Sequence, residues 1–203
     1  MITISLSDIS HNYKGNTIFS PISYEFSAGS NTVILGKNGS GKSTLLKIIS
    51  SFMEPSSGCI NYAQENTPIS VDQVPFLTSI CSPSALLEEK LTLSETFDFY
   101  FSLRNLKTGL SKSDFFSSCM LVESEDKKVK ELSSGMTQRF KLALAFLSET
   151  SLIILDEPCM NLDDKGTELY TMYTRDFGRN ATQIIASNSV EIEYNHCNAK
   201  LHI

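Results

Sequence analysis

The sequence predicts an α/β fold, and three observations predict it. Two short and wholly apolar runs, 33–35 and 152–155, are typical of strands that are buried on both faces of a parallel sheet. A glycine-rich turn follows the first run at once, and apolar residues then recur at helical spacing up to Phe52. Strand-like and helix-like segments alternate at both ends of the chain, as the repeating units of such a fold require.

Taken in chain order, the apolar patterns place the remaining elements. The predicted strands cover 2–6, 24–26, 33–35, 59–62, 76–81, 152–155, 183–186 and 200–203. The predicted helices cover 43–52, a stretch after Pro83, 92–106, 112–121, 136–147 and 164–177. Thr92 and Glu95 form a capping box at the start of one of these helices. The polar segment 63–75 is expected to be a loop, and the charged segment 123–130 a linker.

The composition limits the classes of protein to which this chain can belong. The chain has 203 residues, of which 41% are hydrophobic and 20% charged, a balance typical of a soluble globular domain. Its formal net charge of −6 argues against binding to nucleic acid, which requires an excess of cations. No apolar run approaches the roughly 18 residues of a membrane span, and the N-terminus lacks the basic region of a secretory signal. The five scattered cysteines predict reduced thiols in the cytoplasm.

The glycine-rich turn at 36–44 fits the phosphate-binding pattern G-x-x-x-x-G-K-[ST]. Its glycines let successive N–H groups point at one anion, and the helix that follows adds its N-terminal dipole. Lys42 is expected to reach the phosphates and Ser43 to bind Mg²⁺. A chance turn is the alternative, but the strand before it and the helix after it favour a nucleotide site. The predicted phosphate-binding residues are Gly36, Asn38, Gly39, Ser40, Gly41, Lys42, Ser43 and Thr44.

Two carboxylates, Asp156 and Glu157, follow the apolar run 152–155. A buried parallel strand that ends in acids delivers them to the edge of the sheet where ligands of α/β folds bind. Asp156 is predicted to hold Mg²⁺, and Glu157 to accept a proton from an attacking water. Taken alone, the run reads equally as an ordinary strand end with solvated acids. The phosphate loop upstream favours the catalytic interpretation.

The segment Leu132-Ser133-Ser134-Gly135-Met136 lies shortly before this acidic strand and resembles the signature L-S-G-G-Q of the ATP-binding cassette (ABC) family. Taken alone, it also reads as an ordinary helix N-cap. With the phosphate loop and the carboxylates, the chain resembles a nucleotide-binding subunit of an ABC transporter over nearly its whole length. Ser134 and Met136 depart from the signature, whereas Ser133 and Gly135 match it. The compact length further resembles short bacterial ABC ATPases of the haem-exporter type.

The resemblance implies a P-loop NTPase with a RecA-like mixed sheet flanked by helices, an antiparallel β subdomain and a small α-helical subdomain. It implies one domain over 1–203, with a core at about 1–82 and 129–203 and a helical subdomain at about 83–128. It also implies ATP hydrolysis with ATP and Mg²⁺ bound. Ser133, Ser134 and Gly135 would contact the γ-phosphate of ATP on a second subunit.

Further roles follow from the resemblance. Tyr13 would stack on adenine, with a plain strand-edge aromatic as the alternative. The run 161–163 looks like the loop that touches the partner subunit. Asn188 occupies the slot of the family's switch histidine, and Pro83 falls in the slot of its Q-loop glutamine. Because two auxiliary contacts are altered, slow hydrolysis is expected rather than none.

The expected partners are an integral membrane transporter subunit and either a second copy of the chain, in a homodimer, or a paired ABC ATPase subunit. The chain is expected to be held on the inner face of the plasma membrane. The aromatic residues of the helical insert would provide the docking surface or form an ordinary core. Three other functions stay open. They are a soluble ABC ATPase without a transporter, an ATP-gated regulatory module with little hydrolysis, and a small-molecule kinase. The kinase would not require the signature segment.

Overall fold

The computed structural model describes residues 1–203 and contains nine strands and seven helices. The strands are β1 (Thr3–Tyr13), β2 (Asn16–Phe26), β3 (Asn31–Leu35), β4 (Ser57–Gln64), β5 (Thr67–Ile69), β6 (Thr78–Cys81), β7 (Leu152–Asp156), β8 (Thr182–Ser187) and β9 (Ala199–His202). The helices are α1 (Lys42–Ile49), α2 (Val74–Leu77), α3 (Leu93–Ser102), α4 (Lys112–Ser118), α5 (Ser134–Leu147), α6 (Asp164–Asp176) and α7 (Glu191–Tyr194). None of these helices combines the length and apolar character needed to cross a membrane.

The strands form two sheets, which confirms the predicted fold class. One sheet is antiparallel with the order β2-β1-β4-β5, and the other is parallel throughout with the order β6-β7-β8-β3-β9. Thr182 joins the two sheets. Its hydroxyl donates to the Ile2 carbonyl at 2.7 Å and accepts from the Gly29 amide at 3.0 Å. The phosphate loop follows β3 directly, and it packs against β2 of the antiparallel sheet, because a side chain at Gly41 would collide with Phe19 and Ile18.

Apolar side chains on alternate positions of β7 pack into two different cores. Ile153 and Leu155 belong to a cluster with the aromatic residues of α3, α4, α5 and α6. Leu152 and Ile154 belong to the second cluster, which contains α1 and the antiparallel sheet. Burial on both faces explains why β7 is an unbroken apolar run in the sequence. It also fixes the position of the two carboxylates that follow this strand.

The structure corrects several predicted boundaries. Helix α1 ends at Ile49, because Ser51 takes a left-handed φ of 64° and Phe52 is then exposed. The predicted loop 63–75 contains β5 and the first residues of α2. There, Glu65 and Asn66 turn the chain with positive φ so that β5 pairs with β4. Because α2 extends to Leu77, strand β6 begins at Thr78.

The segment between β6 and α3 was predicted to be helical, and the prediction is wrong. Residues 82–91 form turns and extended chain with no helix. Helix α3 does begin with the predicted capping box of Thr92 and Glu95, but it ends at Ser102 rather than near residue 106. The predicted linker 123–130 includes parts of two short 3₁₀ turns. The four-residue helix α7 was not predicted.

Candidate functional site

The strand order brings three loops of the candidate site together. Strand β8 lies between β7 and β3 in the parallel sheet, so the loops that follow these three strands are neighbours at one edge. The loop after β8 carries Asn188, and the loop after β7 carries Glu157. The loop after β3 is the phosphate loop. The sequence could not predict this adjacency, because the three segments are far apart along the chain.

The phosphate loop closes around its own lysine. Lys42 is 6% exposed, and its Nζ donates to the carbonyls of Gly36 at 2.7 Å and Lys37 at 3.0 Å. Gly41 caps α1 in a left-handed conformation with φ 97°, and a side chain there would collide with Phe19 and Ile18. This collision and the positive φ explain why glycine is required at this position.

The same lysine is linked to Glu157 through Asn188. Lys42 Nζ donates to Asn188 Oδ1 at 2.6 Å, and Asn188 Nδ2 donates to Glu157 Oε1. Glu157 has a left-handed φ of 49°, and its amide donates to the Ala186 carbonyl at 2.9 Å. Strained backbone of this kind is concentrated at functional sites. The three residues predicted to be catalytic therefore form one hydrogen-bonded chain.

The predicted magnesium ligands also lie side by side. Burial raises the pKa of Asp156 above its usual range, and the nearby Ser43 side chain and the charges of Lys42 and Lys47 oppose this effect. Asp156 is 6% exposed, so its carboxylate has lost most of its water. A hydroxyl and a buried carboxylate are the hard oxygen donors that Mg²⁺ prefers. These residues therefore fit the ion.

The phosphate loop itself fits a triphosphate. The Ser40 hydroxyl is buried without a hydrogen-bond partner, as expected of a group that awaits a ligand. Asn38, Gly39, Gly41, Ser43 and Thr44 line a pocket of about 390 Å³ together with Lys42, Ile18 and Glu157. Loop amides, a buried cation and an unpaired hydroxyl are the groups that bind phosphate oxygens.

The signature segment lies elsewhere. Ser133 is the N-cap of α5, where its hydroxyl accepts from the Met136 amide at 3.2 Å, and Ser133 and Ser134 are both exposed. Gly135 lies under the loop after β7, since a side chain there would approach the Asn161 carbonyl to 2.9 Å. None of these three residues lines the pocket over the phosphate loop. The structure therefore does not bring the signature and the phosphate loop of one chain into the same pocket.

Two other predicted positions lie apart from the phosphates. Tyr13 is 60% exposed at the end of β1, and Ile18 rather than Tyr13 lines the phosphate pocket. Pro83, in the expected glutamine slot, is exposed. The neighbouring residue Ser82 is buried, and it lines a cavity of about 500 Å³ together with Ser43 and Asp156.

Sequence reasoning missed Ser82 and also Gln138. Gln138 on α5 is buried, and its Nε2 donates to the Pro158 carbonyl at 2.7 Å, next to Glu157. The helix pattern gave one signal that pointed to Gln138, namely a polar residue among the apolar positions that face the core. No comparable signal marked Ser82, because a serine after a strand is an ordinary turn residue.

A model described as ABC transporter matches residues 19–160, more than half of the chain. The chain belongs to the ABC transporter family. The matched range contains the phosphate loop, the signature segment, Asp156 and Glu157, and it ends before Asn188. Family membership confirms the predicted ABC transporter ATP-binding domain.

Relatives within the ABC family extend over most of the chain. The ABC transporter ATP-binding protein YybJ of Bacillus subtilis is 28% identical over 98% of this chain and 92% of its own length. The zinc import ATP-binding protein ZnuC of Vibrio vulnificus is 31% identical over 83% of this chain. The chain spans 60% of the length of that zinc import protein.

A solved structure supports the ABC fold independently. The ATP-binding cassette MJ0796, described as a dimer in a post-hydrolysis state bound to ADP and Pi, has a TM-score of 0.80 with this chain. Its sequence is 18% identical, and the match covers 98% of this chain and 94% of that one. At this level of identity, the likeness establishes the shared fold alone.

Proposed function

We propose that this chain binds ATP with Mg²⁺ and hydrolyses it slowly to drive an ABC transporter. The hydrogen-bonded chain Lys42–Asn188–Glu157 carries the proposal, because it places a phosphate-binding cation and a carboxylate base at one edge of the sheet. Phosphoryl transfer to water needs both groups close together: the cation binds the phosphate, and the carboxylate contacts the attacking water. The arrangement therefore supports hydrolysis as well as binding.

Each residue has a defined task in this proposal. The loop amides and Lys42 neutralise the phosphate oxygens, and Glu157 accepts a proton from the water that attacks. Asn188 orients Glu157 through its amide nitrogen and contacts Lys42 through its oxygen. Mg²⁺, held by Ser43 and Asp156, would neutralise charge on the phosphates when it is bound. The exposed ring of Tyr13 is assigned to stacking on adenine.

We further propose that two chains share each ATP, in a homodimer or in a pair with another ABC ATPase subunit. Ser133 and Ser134 are exposed at the N-terminus of the 14-residue helix α5, an end that favours anions. Because these residues lie outside the phosphate pocket of their own chain, a second chain is needed to bring such an end to the γ-phosphate. The site would then be complete only in the closed pair.

A separate integral membrane subunit would complete the transporter, with this chain at the cytoplasmic face of the membrane. Most aromatic residues of the helical insert are core residues, since Phe97, Phe115 and Phe116 are buried, whereas Phe99 is 63% exposed. Phe52 is also exposed and lines the 500 Å³ cavity that contains Ser43 and Asp156. A membrane subunit that occupied this groove would lie next to the magnesium ligands.

A finer assignment is part of the proposal. The chain would be of the short bacterial type resembling the haem-exporter ATPase. One observation favours a second function, an ATP-gated module with little hydrolysis. Asn188 is uncharged, so it provides no positive charge at the γ-phosphate as a protonated histidine would.

Substitution of the loop lysine tests the proposal. Lys42→Ala removes the buried cation, and we expect loss of ATP binding and of phosphate release. The matched control is Lys90→Ala, which removes an exposed lysine far along the chain from the loop. ATP binding is measured by calorimetry, and turnover by released phosphate. Affinity of Lys42→Ala equal to that of the parent protein would refute the assignment of the phosphate loop.

A further inference from the structure

A buried carboxylate on α7 receives hydrogen bonds from two loops of the site. Glu193 is 2% exposed. Its Oε2 accepts from the Ser187 hydroxyl at 2.5 Å, and its Oε1 accepts from the Cys159 amide at 3.0 Å. One oxygen is therefore bound by Ser187, the last residue of β8, which leads into the Asn188 loop, and the other by the loop after β7.

The direction of both hydrogen bonds is determined by the neighbours. The Ser187 oxygen accepts from the Val190 amide at 3.2 Å, so its hydrogen is directed to Glu193. The Cys159 amide can only donate. Burial raises the pKa of the Glu193 carboxyl, and these two donors oppose that effect. The tyrosine hydroxyl of Tyr170 donates to the Glu193 carbonyl at 2.6 Å and fixes α7 on α6.

Both tethered residues adjoin residues that carry the proposed chemistry. Cys159 is two residues after Glu157, and Ser187 immediately precedes Asn188. The side chains of Glu157 and Asn188 are themselves hydrogen-bonded, so a change in the spacing of the two loops would alter that contact. No hydrogen bond joins Glu193 to the phosphate loop; its carboxylate is bound by Ser187 at the end of β8 and by Cys159 after β7, and its carbonyl by Tyr170 on α6.

We infer that Glu193 is a positioning residue that sets the distance between Glu157 and Asn188 by tying their two loops together. This inference rests on the proposed function, since it assigns Glu193 a task in the same reaction. It predicts that Glu193 governs the catalytic step and not the binding of ATP.

Glu193→Gln tests the inference with little change of shape. Glutamine offers one acceptor oxygen and an NH₂ group, so one of the two loop donors would face another donor. We expect kcat to fall by roughly ten- to a hundredfold, the effect of small misplacements in an active site. The KM for ATP should stay within about twofold of the parent value, since the phosphate loop is untouched. Glu191→Gln, an exposed residue on the same helix, is the matched control and should match the parent protein.

Two further measurements separate positioning from general stability. Ser187→Ala removes one donor, and the double variant with Glu193→Gln should lose no more activity than the stronger single variant. Amide hydrogen exchange should rise at Cys159 and Val190 in Glu193→Gln but not at 36–43. Unchanged kcat in Glu193→Gln, or parallel loss of ATP binding and protection at 36–43, would overturn the inference. A parent protein that releases no phosphate would instead refute the proposed function itself.

Discussion

Two charged side chains of the site are almost completely buried, and each depends on its immediate neighbours. Lys42 donates to two carbonyls and to Asn188, so its charge is well solvated by protein groups. Asp156 has less support, and burial raises its pKa despite Ser43 and two nearby lysines. Burying a carboxylate without a bound cation lowers the stability of the ligand-free protein.

The stability of Asp156→Asn should reveal that cost. A raised folded-state pKa means that the contribution of Asp156 to stability is fully present below its ordinary pKa of 3.8 and is lost as pH rises through the folded-state pKa. At pH 7 without ligand, we expect Asp156→Asn to melt at a higher temperature than the parent protein, because it removes a buried charge. Magnesium-dependent ATP binding should be lost.

Melting curves between pH 4 and pH 8, with and without Mg²⁺ and ATP, provide the measurement. Asp126→Asn, which removes an exposed carboxylate, is the control and should melt like the parent protein. A lower melting temperature of Asp156→Asn at pH 7 would contradict the prediction, as would a stabilising effect of Mg²⁺ and ATP equal to that in the parent protein.

In the proposed function, Asn188 influences how fast ATP is hydrolysed, because it contacts both Lys42 and Glu157. A neutral histidine at this position could still accept from Lys42 and donate to Glu157, and a protonated one would add charge. We therefore expect Asn188→His to raise kcat. Asn188→Ala removes both hydrogen bonds and should lower kcat by roughly 10²–10³. Phosphate release under saturating ATP is the measurement, and a histidine variant as slow as the alanine variant would refute this account.

Helix α5 connects the signature segment to the loop that carries Glu157, the proposed catalytic carboxylate. Its N-terminus carries Ser133, and one turn later Gln138 binds the carbonyl that follows Glu157. Gly135 lies against the Asn161 carbonyl, which belongs to the same loop. The helix therefore links two regions of the chain that the proposed dimer would place at different ATP molecules.

The effect of Ser133 on stability, as the N-cap of α5, can be separated from its proposed role in binding ATP. Ser133→Ala should cost about 1 kcal/mol of stability, the usual effect of losing an N-cap, and should also lower kcat. Thr92→Ala removes the equivalent cap of α3 and should cost about as much stability without changing kcat. Denaturant unfolding and phosphate release are measured on both variants. Equal kcat in the two variants would show that Ser133 acts only as a cap.

Elements with strong patterns were predicted more accurately than short ones. The buried runs of β3 and β7 and the apolar face of α5 are set by local sequence, so their positions were correct to within a few residues. Strand β5 and helix α7 are three and four residues long, too short to show a period. They form because β4 supplies a pairing partner and because Tyr170 binds the chain at Glu193.

At the scale of the whole molecule, the candidate site is divided into two surfaces. The loops at the carboxyl edge of the parallel sheet hold the proposed phosphate-binding and catalytic groups. The exposed serines at the start of α5 form a separate surface that does not line the same pocket. Closure of two chains around ATP would join the first surface of one to the second surface of the other, and ATP would favour the closed state because it contacts both.

Glu157→Gln tests this arrangement. The variant keeps the groups that bind ATP but lacks the base, so ATP and Mg²⁺ should convert it to a stable dimer on size-exclusion chromatography with light scattering. The double variant Glu157→Gln/Ser133→Ala should dimerise more weakly, because one proposed phosphate contact is gone. A Glu157→Gln protein that stays monomeric with ATP and Mg²⁺, alone and with a membrane subunit, would contradict the shared site.

The sequence by itself determined the fold class, the phosphate loop and the two carboxylates, because these depend on local patterns: buried runs, a glycine-rich turn and acids at a strand end. Only the tertiary structure decided that Asn188 joins Lys42 to Glu157, that Ser82 rather than Pro83 lies beside the magnesium ligands, and that Glu193 ties two loops together. These contacts join segments that are distant in the chain. They follow from the order of strands in the sheet, which no local pattern encodes.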